Sequence, residues 1–165
     1  FGDVEIGGWH PKFFSQNGPP NVLERWASRQ ALFNLEMALA LPELEWVDEQ
    51  VRRVAQDGDS ATYEVRMRVR NSGGLPTALR QAQLVKIVQE DRLFVTFARG
   101  DGRAPRVVEP DLRNGAIWMG WIEPGETKTV TFRVRTYAPG PVTANVRLDS
   151  TRGGVLRRTV SIGGG

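Results

Sequence analysis

Ala61-Thr62-Tyr63-Glu64-Val65-Arg66-Met67-Arg68-Val69-Arg70, followed by Asn71-Ser72-Gly73-Gly74, decides the fold. Apolar and charged residues alternate with a period of two. Tyr63, Val65, Met67 and Val69 therefore face one way, and Glu64, Arg66, Arg68 and Arg70 the other. That is a strand with one side on a core and one side in water. The Asn-Ser-Gly-Gly run that ends it is a turn.

The same grammar extends in both directions. Leu44 to Ala55 reads as a strand with irregular alternation, joined to the first by the turn Asp57-Gly58-Asp59-Ser60. Downstream, strands are expected over Ala82 to Val88, Leu93 to Ala98, Ala116 to Ile122, Thr127 to Tyr137, Val142 to Asp149 and Val155 to Ile162. Glu90-Asp91, Arg99 to Pro105, Glu123-Pro124-Gly125-Glu126, Pro139-Gly140-Pro141 and Gly153-Gly154 separate them. Val130, Phe132 and Val134 fall on one side of their strand, with Arg133 and Arg135 on the other, and Val142, Ala144, Val146 and Leu148 share a face. About seven to eight antiparallel strands at this spacing predict an immunoglobulin-like β-sandwich over residues 43–165.

Residues 1–42 obey different rules. Phe1 to Ile6 reads as a strand ending in the Gly7-Gly8 turn, and Pro11, Gly18, Pro19 and Pro20 make Trp9 to Pro20 a loop. A long helix follows, with Asn21 as N-cap and Glu24 completing a capping-box-like pair, and Pro42 stops it. Ala31 to Leu41 is apolar around most of its circumference. Such a helix expects cover on more than one side, and the sandwich is the expected cover.

Composition narrows the possible functions. With 40% hydrophobic and 25% charged residues the chain has ordinary globular composition. No apolar run approaches the roughly 20 residues of a membrane span. The absence of Cys removes disulfides, cysteine zinc sites and thiol catalysis. A net charge of +3 is a small excess for a nucleic-acid binder, and all basic residues but Lys12, Lys86 and Lys128 are Arg.

Arg66, Arg68, Arg70, Arg133, Arg135 and Arg147 occupy outward positions. If their strands are neighbours they form a basic face, either a plain solvated one or a site for an anionic polymer such as a cell-wall glycan or nucleic acid. Trp118 and Trp121 flank Met119-Gly120 and either stack on sugar rings or pack against the helix at Trp26 to Leu41. His10 is the only histidine, so it has no partner with which to hold a metal. Arg99-Gly100-Asp101 spells an integrin-like tripeptide in an Arg/Gly-rich loop, and Asp57-Gly58-Asp59 lacks the rest of a calcium loop's spacing; both read as loop and turn.

Two family resemblances sit on these residues. Val4-Glu5-Ile6-Gly7-Gly8-Trp9, then Pro11-Lys12-Phe13 and Asn17-Gly18-Pro19-Pro20 ahead of the helix, resembles the C-terminal end of bacterial carboxypeptidase A-like zinc metallopeptidases. The resemblance implies that Glu5 is the general base at a zinc-bound water. It also implies that the zinc ligands, a His-x-x-Glu pair and a later His, belong to an upstream catalytic domain acting on peptides. Residues 1–42 would be the truncated remnant of that domain, inactive alone because a base without its metal-activated water has nothing to deprotonate. The second resemblance covers Leu44 to Ile162. Asn71-Ser72-Gly73-Gly74, Ile122-Glu123-Pro124-Gly125-Glu126-Thr127 and the Leu148-Asp149-Ser150 turn are similar to bacterial immunoglobulin-like domains of the cell-adhesion-related group. That implies a non-catalytic accessory domain on an exported protein. The alternatives are a self-contained adhesion or glycan-binding module, with Arg66, Arg68, Arg70, Arg133, Arg135, Trp118 and Trp121 as surface candidates, and a structural spacer. No nucleic-acid partner is expected.

Overall fold

The computed structural model describes residues 18–98, 103–137 and 140–163. The chain divides into two compact units, Phe1–Leu39 and Ala40–Gly165. The expected strand Phe1 to Ile6, with Glu5 and His10, lies outside the described residues, as does the Arg99-Gly100-Asp101 tripeptide.

The first unit contains helix α1, Pro20–Leu39. It begins one residue earlier than the expected Asn21 cap, because proline is favoured in the first turn, where its missing N–H loses nothing. Val22 N donates to Pro19 O at 2.9 Å, which starts the turn. The helix ends three residues before Pro42 rather than against it, and none of its residues is buried.

The second unit is a sandwich of two four-stranded antiparallel sheets. Sheet A runs β1 (Leu44–Asp57), β2 (Ser60–Asn71), β6 (Thr127–Thr136), β4 (Arg106–Glu109). Sheet B runs β5 (Ile117–Gly120), β3 (Asp91–Phe97), β7 (Val142–Ser150), β8 (Gly154–Ile162). Sheet A has the order of the four-stranded sheet in a constant-type immunoglobulin domain, and β3-β7-β8 that of its three-stranded partner, with β5 added at the edge. The core is built from the alternating positions: Val65, Met67 and Val69 of β2, Phe132 and Val134 of β6, Leu93 of β3, and Ala144, Val146 and Leu148 of β7.

Two local departures from the sequence reading, and one irregularity it already showed, have physical causes. Ala82 to Val88 is not a strand; Arg80–Val85 forms the short helix α2. Its run is too short to fix a period, and Gln83 closes the turn locally, with Nε2 donating to Ala78 O at 2.7 Å. Lys86 then takes a left-handed conformation, φ 54°, and ends it. Strand β4 was not expected, because Val107 and Val108 give only one alternation between charged neighbours. The irregular alternation of β1 comes from two register shifts against β2, which leave Val47 and Val54 without partners. Such bulges twist a long edge strand and blunt its tendency to pair with another chain.

One end of the sandwich is held by buried polar groups. The Asn71 side chain has no exposed surface and uses its whole amide. Its Oδ1 accepts from Glu43 N and Gly73 N, both at 3.1 Å. Its Nδ2 donates to Leu75 O at 2.8 Å and to Ile122 O at 3.3 Å. Its backbone N donates to Glu126 O, and its O accepts from Gly125 N. Gly73 is required here, since a Cβ would meet the Leu41 carbonyl and Glu43 N. From Ile122 the network continues: its N donates to Thr77 Oγ1 at 2.9 Å, and Thr77 and Ser150 hydrogen-bond the buried Asp91 carboxyl. Burial pushes that carboxyl up, while the two hydroxyls and the Lys128 ammonium pull it down less strongly.

Two predictions follow from this buried network. Asn71→Ala strands the Glu43 and Gly73 N–H groups and the Leu75 carbonyl, while Ile122 O keeps its bond from Thr77 N, so it should lower stability by about 3 kcal/mol, read as a fall in the urea midpoint; an unchanged midpoint would show that the node is dispensable. Asp91 favours its protonated form when folded. Its contribution is full below the unfolded carboxyl value and fades as pH rises through the higher folded one. Asp91→Asn stays in the uncharged state, so the melting-temperature gap between variant and parent should move in the variant's favour between about pH 3 and pH 7. A gap that is flat with pH would mean the carboxyl is unshifted.

Candidate functional site

The sequence put six arginines on one basic face; the sheets divide them. Arg66, Arg68 and Arg70 of β2 and Arg133 and Arg135 of β6 share the outer face of sheet A, in register across the Glu64↔Arg133 pair. Arg147 belongs to β7 of sheet B. The sheet A face is not uniformly basic. A row of alternating charges crosses all four strands: Arg52–Glu64 at 2.9 Å, Glu64–Arg133 at 3.5 Å, Arg133–Glu109 at 2.7 Å. Arg135 pairs with Asp57 at 3.3 Å. Register sets Arg68 opposite Asp48 and Arg70 opposite Glu45. Of these candidates only Arg66 has neutral cross-strand neighbours, Gln50 and Thr131. Exposed pairs of this kind add little stability, about 0–1 kcal/mol each, but they neutralise the field of the face.

The outer face of sheet B is built differently. Arg113 and Ala116 exchange backbone hydrogen bonds around Asn114 and Gly115, whose φ values of 55° and 74° make a tight hairpin turn. That turn fixes Arg113 beside Trp118: Trp118 Nε1 donates to Arg113 O at 3.0 Å, and the guanidinium lies 4.5 Å from the ring centroid. Arg92, paired with Trp118 across β3 and β5, approaches the same ring at 5.8 Å and Phe94 at 5.7 Å. Arg147, opposite Phe94 on β7, stacks on it at 4.6 Å. The result is a ladder, Arg113–Trp118–Arg92–Phe94–Arg147, in which cations and aromatic rings alternate.

Arg157 of β8 extends the ladder, directly opposite Arg147. Like charges so placed repel, and no acidic side chain among the described residues pairs with Arg157. Asp149 is the one carboxylate in the row, 2.9 Å from Arg147 Nε, and that oxygen makes no aligned hydrogen bond. Phe94, Thr96, Asn145, Arg147, Arg157 and Thr159 line a shallow depression of about 520 Å³ on this face. Its chemistry is that of anion recognition: the guanidinium of Arg147 held by stacking on Phe94 and that of Arg157 opposite it, with hydroxyl and amide groups beside them.

A second concavity of about 300 Å³ lies at the Trp118 end, lined by Lys86, Gln89, Glu90, Arg113, Trp118 and Trp121. Trp118 and Trp121 are thus brought together, but Trp118 has a guanidinium near its ring on two counts and is not a bare platform. The Trp121 indole N–H is buried without a hydrogen-bond partner, and its carbonyl accepts from Lys128 Nζ at 2.7 Å. Sequence reasoning missed Arg92, Phe94, Arg113 and Arg157. The usable signal was Arg92 and Phe94 at alternate positions ahead of the Asn114-Gly115 turn.

Among the described residues no group of three or more His, Cys, Asp or Glu side chains is placed to hold a metal ion. No described helix is long and apolar enough to cross a membrane. Among solved structures, the chain is similar to the CARDB domain of a Pyrococcus furiosus protein in complex with di-metal ions. The two share 20% identity over 74% of this chain and 89% of that one, with a TM-score of 0.37. No curated protein matches. Residues 43–161 match the family described as Domain of unknown function (DUF8731), and the chain belongs to that family.

Proposed function

We propose that residues 40–165 form a non-catalytic binding module that holds an anionic ligand across the outer face of sheet B. The observation that carries this is the stacked row of Arg113, Arg92 and Arg147, with Arg157 opposite Arg147, set against the single carboxylate of Asp149. Arginines serving only solubility do not need aromatic partners to fix their planes, and of the opposed pair Arg147 and Arg157 only Arg147 has a carboxylate, Asp149, among the described residues. Sheet A, with its charges paired, is the solvated face.

The ladder is tested by retention on immobilised heparin, a sulfated polyanion. Arg147→Ala with Arg157→Ala should elute at much lower salt, with a loss of roughly tenfold in affinity per guanidinium. Arg66→Ala with Arg68→Ala removes the same charge from sheet A and should elute as the parent does. Equal losses in the two double variants would reduce the effect to net charge and end the reading.

The residues Val4-Glu5-Ile6-Gly7-Gly8-Trp9 support a finer reading, in which the module is carried by an exported zinc carboxypeptidase-like enzyme with Glu5 as general base. The described residues offer no donor set for zinc, so no catalytic step is assigned to them. The reading frame upstream of Phe1 decides this. A His-x-x-Glu pair and a later His are expected there, and a frame without them removes the peptidase.

A further inference from the structure

The ladder ends at the cleft of Lys86, Gln89, Glu90, Arg113, Trp118 and Trp121, and the two share Arg113 and Trp118. We propose that this cleft takes one sugar ring of the anionic ligand, which makes that ligand an acidic glycan; the proposal rests on the ladder reading above. The argument is one of chemistry and size. A polyanion site needs cations alone, yet this cleft places the carboxylate of Glu90 and the amide of Gln89 beside an indole. A carboxylate next to a polyanion is repulsive unless it accepts hydrogen bonds from neutral hydroxyls. The Trp121 ring, half-buried in the cleft wall, supplies apolar surface for the C–H face of a sugar ring.

The cleft's volume, about 300 Å³, is at the small end of the range for small-molecule sites, roughly 300–1,000 Å³, and suits a single ring. The backbone makes the site without any large side-chain movement. Left-handed Lys86 turns the chain out of α2 toward Gln89 and Glu90, and the Asn114-Gly115 turn fixes the opposite wall. From Trp118 on β5 to Arg157 on β8 the ladder spans three strand spacings, about 14 Å, so the chain of the glycan would cross the strands rather than follow them.

Calorimetric titration of the full chain tests this with two probes, trigalacturonate and a single-stranded oligothymidylate. The parent should bind the uronate more tightly than the oligonucleotide. Glu90→Gln should weaken uronate binding roughly tenfold, since a charged acceptor for a hydroxyl is lost. The same substitution removes a negative charge, so it should leave oligothymidylate binding unchanged or stronger. Trp121→Ala, which removes the apolar wall, should also weaken uronate binding. If Glu90→Gln strengthens or leaves unchanged the binding of both probes, the cleft proposal is overturned and the ladder stands. If Arg147→Ala with Arg157→Ala leaves both probes bound as before, the ladder reading itself fails. A parent that binds no uronate overturns the cleft as well.

Discussion

The structure of the sandwich depends on a buried amide. Asn71 closes β2, and its side chain ties the entry to β1, the turn at Gly73 and Leu75, and Ile122 after β5. Its backbone ties the turn that opens β6. Through Ile122 the restraint passes to Thr77, then to Asp91 at the start of β3 and Ser150 at the end of β7. Both sheets are therefore fixed at the same end by one continuous set of hydrogen bonds. Register matters because a slip of one residue would exchange the faces of every strand. The core of Val65, Leu93, Phe132 and Val146 supplies the larger part of the stability; the polar node selects the pairing in which the core residues face inward.

Fixed register gives the two outer faces opposite electrostatic characters. On sheet A the arginines meet Glu64, Glu109 and Asp57 across strands, so their charge is spent locally. On sheet B they stack on Trp118 and Phe94, which do not neutralise them, and a single carboxylate, Asp149, serves both Arg147 at 2.9 Å and Arg92 opposite it. Lysine would not serve in either role as well, because neither a flat stack nor a two-pronged pair suits an ammonium. The bias of the composition toward arginine thus has a structural reading on both faces.

Much of the fold could be read from the sequence. The alternation through Tyr63, Val65, Met67 and Val69 placed those residues inward, and Val130, Phe132 and Val134 and, of the β7 set, Ala144, Val146 and Leu148 behaved likewise. The run Arg80–Val85 could not be assigned, because six residues hold too little period and the deciding contact is the Gln83 side chain on Ala78 O. Asn71 could be read as a turn residue, but its partners at 43 and 122 are set by tertiary pairing. The ladder was hidden for the same reason. Its rungs come from Arg92 and Phe94, Arg113 and Trp118, and Arg147, three separate stretches that meet only through the β3–β5 and β3–β7 registers. The arginines of β2 and β6 were visible as a set, and their acidic partners on β1 and β4 were not.

The cations and rings of the ladder keep one charge state across any biological range, and Asp149 is the one carboxylate beside them. Guanidinium keeps its proton under all such conditions, and indole and phenyl rings have none to lose. The cationic part of this surface is therefore not switched off from the protein's side by acid or base. Whether it grips or releases is decided by the protonation of whatever lies on it, and by the salt around it. A sulfate-bearing ligand would then be held at every pH the fold survives, and a carboxylate-bearing one released as its own acid groups fill.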